Sequence, residues 1–277
     1  MLALISVGEL AACLDEPALV VLDVRWRLGG PHGRAEYDAG HLPAAHFVDL
    51  ETDLARPADE HGRHPLPSSG EFQQAMRRCG IHKDSLVVCY DGADSTAAAR
   101  VWWLLRYFGH AAVRVLDGGY AAWVASGGVT TMDQPAPADT GFVARPGHLA
   151  VLTATGAAAV ARSGALLDAR ATERYTGRSE PVDPVAGHIP GAISAPTTDN
   201  VDADGRFLGV DELRRRFAGL GVSLEVPTAA YCGSGITAAH QVLALQVAGF
   251  DAGLYADSWS GWITDPSRPV ATGDDSS

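Results

Sequence analysis

Between Thr228 and Gly249 the hydrophobic pattern changes its period once. Thr228-Ala-Ala-Tyr231 is a small apolar run with the length of a buried strand. From Ala238 to Ala248 the Ala, Leu and Val positions suit a helix, which Gly249 ends. Cys232-Gly-Ser-Gly-Ile-Thr237 lies between them. The same alternation runs along the rest of the chain. Ser6-x-x-Glu9 and Ser68-x-x-Glu71 read as capping boxes opening helices that end near Leu14 and Gly80. Ala18–Asp23, Leu86–Tyr90, Val113–Leu116 and Ala165–Asp168 read as strands, and Thr96–Phe108 as a helix. Strands alternating with helices predict an α/β fold with open, mostly parallel sheets flanked by helices.

The second half replays the first. Ala165-Leu-Leu-Asp-Ala-Arg170 answers Leu22-Asp-Val-Arg25, and Gly187-His-Ile-Pro-Gly-Ala192 answers Gly40-His-Leu-Pro-Ala-Ala45. Tyr231-Cys-Gly233 answers Tyr90-Asp-Gly92, and Asp257–Trp262 answers Asp117–Trp123. Landmarks recurring in one order, roughly 140 residues apart, predict a duplicated domain. The Pro-rich segment Thr130–Arg145 reads as the connection. The expected division is a first domain over 1–129, a linker over 130–147 and a second domain over 148–277.

Composition narrows the function classes. The 277 residues carry a formal charge of −12 and no Lys/Arg-rich run, so nucleic acid and anionic membrane surfaces are not expected partners. No apolar run nears the ~20 residues that span a bilayer, and Met1–Ser6 lacks the features of a signal peptide. Cys13, Cys79, Cys89 and Cys232 have no paired spacing for zinc or a disulfide framework. A reducing cytoplasm is the expected location, with no metal or cofactor.

Cys232 is the candidate nucleophile. A cysteine at a strand's carboxyl end, before a Gly-rich turn into a helix, meets converging loop N–H groups and the positive end of the helix dipole, which favour thiolate over thiol. In open α/β sheets ligands bind outside the carboxyl ends of the strands, which places Cys232 at a ligand site. Asp91 holds the matching point of the first half. An aspartate cannot act as a thiolate, so that copy is expected to be inactive. His41 and His188 match across both halves, so structural roles are expected for them, and Trp102, Trp103, Trp123, Trp259 and Trp262 read as core.

These motifs together resemble the two-domain rhodaneses, the thiosulfate and 3-mercaptopyruvate sulfurtransferases. The resemblance covers nearly the whole chain. It implies two tandem rhodanese-like domains and a ping-pong reaction, in which the cysteine takes a sulfur atom as a persulfide and passes it on. Cys232 is then the catalytic nucleophile, with Gly233, Gly235, Ile236 and Thr237 as the cradle. Arg174, in Glu173-Arg-Tyr-Thr-Gly177, corresponds to the arginine that anchors the donor's anionic end, while Arg170 braces its own loop. A Ser–His–acid relay is implied by Ser234 and by His64, the latter from the first domain, with Glu51 or Asp53 as the acid. The implied partners are a small sulfur donor and a thiol, cyanide or a protein such as thioredoxin as acceptor. The neutral Cys-Gly-Ser-Gly-Ile-Thr loop resembles the mercaptopyruvate branch. That branch's second arginine is missing, because Glu180-Pro-Val-Asp183 ends in aspartate, and Arg178 is the candidate substitute. The alternatives are a thiosulfate-preferring enzyme and a non-catalytic rhodanese-like module. A cysteine phosphatase would need Cys-x5-Arg, and Ala238 stands at the arginine position.

Overall fold

The computed structural model describes residues 3–136 and 140–274. They fall into two compact units, one spanning Met1–Arg56, Leu66–Leu149 and Ala203–Phe207, the other Pro57–Pro65, Ala150–Asp202 and Leu208–Ser277.

In the first unit the strands are β1 (Leu4–Ile5), β2 (Leu19–Asp23), β3 (Ala45–Phe47), β4 (Leu86–Tyr90) and β5 (Val113–Leu116). They form one all-parallel sheet in the order β1-β5-β4-β2-β3. The helices are α1 (Val7–Cys13), α2 (Gly33–Ala39), α3 (Leu50–Asp53), α4 (Ser69–Arg78), α5 (Thr96–Tyr107) and α6 (Gly119–Ala125). Both predicted capping boxes are present, Ser6 with Glu9 and Ser68 with Glu71.

The second unit repeats the plan with β6 (Ala165–Asp168), β7 (Ile193–Ser194), β8 (Thr228–Tyr231) and β9 (Gly253–Leu254), parallel in the order β7-β6-β8-β9. Its helices are α7 (Ala154–Ser163), α8 (Thr172–Tyr175), α9 (Val210–Gly219), α10 (Ile236–Val247) and α11 (Ser258–Trp262). β6 and β8 are buried almost throughout, as expected of parallel strands covered on both faces. No helix among the described residues is long and apolar enough to cross a membrane.

The duplicated landmarks turn out to be a duplicated brace. In the first unit Tyr90 Oη donates to Asp23 at 2.6 Å and accepts the Leu42 N–H, while Arg25 forks onto Asp23 and donates to the Gly40 carbonyl. In the second, Arg170 forks onto Asp168 and donates to the Gly187 carbonyl, and Tyr231 Oη accepts the Ile189 N–H. His41 stacks on Tyr37 and His188 on Tyr175, each with Nδ1 2.8 Å from that tyrosine's carbonyl oxygen. These histidines and Arg170 hold the Gly-His-x-Pro loops against the sheets. Five of the six tryptophans are core: Trp102, Trp103, Trp123, Trp259 and Trp262 are all buried. Each such side chain contributes roughly 1.5–3 kcal/mol or more through the area it removes from water.

The stretch expected as a linker runs along the first unit. Thr131 exchanges backbone hydrogen bonds with His41, and Phe142 is buried edge-on to Phe72. Pro137, Ala138 and Asp139 of that stretch lie outside the described residues.

Candidate active site

β8 delivers the chain at Tyr231 to its carboxyl end, and the loop Cys232–Gly235 turns it into α10. The turn needs a left-handed residue at the helix cap, and Gly235 supplies it at φ 83°. This geometry aims the Gly235 N–H at Cys232 Sγ, 3.1 Å away. The loop is fixed from beneath by α11. Trp259 N–H donates to the Cys232 carbonyl and Ser260 N–H to that of Gly233, both at 2.9 Å. Cys232 N–H donates to Ser258 Oγ at 3.1 Å, and that hydroxyl in turn donates to the Tyr255 carbonyl. Gly233, Ile236 and Thr237 complete the rim, with Ile236 and Thr237 in the first turn of α10, where N–H groups have no partner inside the helix.

The first unit shows what such a loop holds. Asp91 Oδ1 accepts N–H bonds from Ala93 and Ser95, and Oδ2 accepts those of Ala97 and Ala98, at 2.9 to 3.2 Å. Burial, with Asp94 nearby, pushes the Asp91 carboxyl up to about 7, against the pull of those N–H groups. The loop is an anion cradle that the first unit fills with its own side chain.

Ser234 and His64 meet in the second unit. His64 Nδ1 lies 2.7 Å from Ser234 Oγ, and both side chains are buried. His64 belongs to the segment Pro57–Pro65, which groups with the second unit rather than the first. That segment is pinned to α11: Arg63 N–H donates to Ser260 Oγ, and His61 pairs with Asp257. Of the two carboxylates weighed as the acid, Asp53 receives Arg78 and the Asp49 N–H, and Glu51 accepts the Trp26 indole N–H.

Arg174, on α8, lies beside the cysteine loop. Its Nε donates to both oxygens of Glu180 at 3.0 Å, and its Nη2 reaches Glu180 and Asp183 at 2.8 Å. Burial opposes ionisation of Glu180, but Arg174 and the N–H groups of Asp183 and Val182 hold its carboxyl below the usual range. Arg178 points away, pairing with Asp274 at the surface. A different cation approaches: Arg63 forks onto Asp183, with Nε 3.0 Å from Oδ1 and Nη2 3.2 Å from Oδ2. A methyl group placed on Gly233 would lie 2.7 Å from Arg63 Nη2 and 3.5 Å from both terminal nitrogens of Arg174. Two guanidiniums therefore converge on the residue after Cys232.

The rhodanese-like domain profile matches twice, over residues 6–126 and 153–265. The chain belongs to the rhodanese family. This rhodanese is 48% identical to a Pseudomonas aeruginosa protein named a probable 3-mercaptopyruvate sulfurtransferase, over 98% of both chains. It is 45% identical to SseB of Mycobacterium tuberculosis, provisionally named a thiosulfate sulfurtransferase, over 98% of this chain and 97% of SseB. The crystal structure of SseA from Escherichia coli, a 3-mercaptopyruvate sulfotransferase, superposes with a TM-score of 0.82 at 31% identity, covering 94% of this chain and 100% of SseA. The rhodanese is accordingly an enzyme of the sulfurtransferase class.

Its other cysteines sit in poor settings for a thiolate. Burial pushes Cys79 up to about 12, raises Cys89 further and raises Cys13. Two site residues escaped the sequence. Arg63 carried a faint signal, as a cation beside His64 in a chain with an aspartate at 183. Ser258 carried none; its role depends on a left-handed backbone, φ 54°, where the first unit has Gly119 at φ 56°.

Proposed function

We propose that this sulfurtransferase takes its sulfur from 3-mercaptopyruvate, carries it as a persulfide on Cys232 and passes it to a small thiol, cyanide or a thioredoxin-like protein in the cytoplasm. The observation that carries the reading is the meeting at one point of Cys232 Sγ, the Gly235 N–H and the paired guanidiniums over Gly233. In the loading step the thiolate attacks the donor's sulfur. The S–S bond forms as the C–S bond breaks, the bonding pair leaves on carbon as the pyruvate enolate, and the donor's thiol proton ends on that carbon. Ser234 and His64, 2.7 Å apart, are placed to relay this proton. The loop N–H groups and the α10 dipole stabilise the persulfide anion. The acceptor then attacks the outer sulfur and returns Cys232 as thiolate. The first unit, with Asp91 in its cradle, supplies no second sulfur site.

The donor choice rests on charge. Arg63, Arg174 and Arg170 face Asp183, Glu180 and Asp168, three cations against three anions, so the cluster offers directed N–H groups but no surplus positive charge. A single carboxylate suits such a site better than thiosulfate, a dianion that must approach a thiolate. Steady-state kinetics with both donors and one acceptor test this. The expected kcat/KM for 3-mercaptopyruvate is higher by roughly tenfold, a difference of about 1.4 kcal/mol. Equal or better turnover of thiosulfate overturns the donor assignment.

A further inference from the structure

We propose that Arg63 is a donor-anchoring, specificity-determining residue, gripping the carboxylate of a 2-oxo-3-thio acid together with Arg174, and that Asp183 positions the two guanidiniums. This rests on the reading that Cys232 loads sulfur from such a donor. Among the described residues, Asp183 Oδ2 is the shared point of the pair, accepting Arg63 Nη2 at 3.2 Å and Arg174 Nη2 at 2.8 Å. Asp183 is buried, so its charge is shielded from water and its geometry is fixed. The bonds to Asp183 use Nε and Nη2 of Arg63, and those to Glu180 and Asp183 use Nε and Nη2 of Arg174. Among the described residues the Nη1 group of each has no protein partner, and two such groups match the two oxygens of one carboxylate. Both guanidiniums stand over Gly233, adjacent to the nucleophile. Arg63 is the neighbour in sequence of His64, so one short segment, fastened by the Arg63 N–H to Ser260 Oγ, brings both the relay histidine and the anchor. The cation that position 183 lacks is thus supplied from position 63, with the carboxylate on the opposite limb of the pair.

Kinetics of Arg63→Gln, Arg63→Lys and the exchange Arg63→Asp/Asp183→Arg test this, with 3-mercaptopyruvate and with mercaptoacetone, which has the thiol and ketone but no carboxylate. Arg63→Gln is expected to raise KM for 3-mercaptopyruvate by roughly ten- to a hundredfold, the scale of a lost hydrogen bond to a charged group. Its KM for mercaptoacetone should not move. Arg63→Lys should recover part of the affinity, and the exchanged pair more than either of its single substitutions. An unchanged KM for 3-mercaptopyruvate in Arg63→Gln, or an equal rise for both donors, overturns the proposal. The mass of wild-type Cys232 after one exposure to 3-mercaptopyruvate separates the two claims. If wild type takes no sulfur, the donor reading fails; if it does and Arg63→Gln binds as well, only the anchor fails.

Discussion

Asp91 and Cys232 occupy the same point of two matched loops, and one helix-cap N–H reaches each: Ser95 N–H to Asp91 Oδ1 at 3.0 Å, Gly235 N–H to Cys232 Sγ at 3.1 Å. A carboxylate oxygen is one bond farther from the backbone than a cysteine sulfur, as is the outer sulfur of a persulfide. Asp91 Oδ2 collects the N–H groups of Ala97 and Ala98 in the first turn of α5. The matching groups on α10 belong to Thr237 and Ala238, which is where the outer sulfur on Cys232 would find its donors. The Asp91 oxygen thus occupies the place that the outer sulfur of a Cys232 persulfide would take.

Ser234 and His64 give a donor-dependent prediction. Loading from 3-mercaptopyruvate moves a thiol proton to carbon, whereas loading from thiosulfate expels sulfite and moves none. Ser234→Ala and His64→Asn should each lower kcat for 3-mercaptopyruvate by about 10²-fold or more, the ordinary scale of positioned proton transfer. Their rates with thiosulfate should fall far less. A parallel loss with both donors contradicts the relay and assigns the pair to positioning of the loop.

The left-handed Ser258 predicts a difference in stability between two substitutions. Ser258→Ala keeps the strained backbone and loses the hydroxyl that joins Cys232 N–H to the Tyr255 carbonyl, so it should destabilise by about 1–3 kcal/mol. Ser258→Gly loses the same bonds but removes strain worth about 1 kcal/mol or more, so it should unfold at higher urea than the alanine variant. Equal urea midpoints for the two would contradict the assigned strain.

Gly233 and Arg63 should be coupled. The Gly233→Ala methyl would lie 2.7 Å from Arg63 Nη2, so the flexible guanidinium must move while the backbone need not. Gly233→Ala should therefore raise KM for 3-mercaptopyruvate in the wild-type background and do much less in Arg63→Gln. The interaction energy of that double-mutant cycle is expected to be on the order of 1 kcal/mol. Additive effects would show that the two do not meet.

Burial lowers the pKa of His110, whose Nε2 lies 3.0 Å from the Ser85 carbonyl oxygen, and that of the half-buried His46. A histidine depressed in the folded state binds fewer protons there than in the unfolded chain. Its contribution is present above the unfolded value of about 6.5 and is lost as pH falls through the folded value. The difference in urea midpoint between wild type and His110→Asn should shrink from about pH 6.5 downward, a comparison in which the opposing effect of the raised Asp91 carboxyl cancels. An identical pH profile in the variant would contradict it.

Much of this was legible because periodicity changes are local. β8 and the helix after it stood out as a run of four residues followed by an Ala/Leu pattern, and the duplicated Asp-x-Arg and Gly-His-x-Pro segments proved to be one brace built twice. The start of α10 fell at Ile236, two residues before the pattern suggested, because two β-branched residues open its first turn. Arg174 was reachable from its neighbours in sequence. Arg63 was not, since its meaning lies in Asp183, 120 residues away. Nor was Ser258, whose contribution is a backbone angle that side-chain chemistry does not advertise. Likewise, His64 was readable as a residue but not as part of a segment that groups with the second unit.

In the proposed cycle one sulfur atom resides on Cys232. Intact mass and peptide mapping after exposure to 3-mercaptopyruvate without acceptor test it most directly, on wild type and Cys232→Ser. One added sulfur per chain is expected, located on Cys232, and none on the serine variant. Sulfur on Cys13, Cys79 or Cys89, or an undiminished gain in Cys232→Ser, would contradict it.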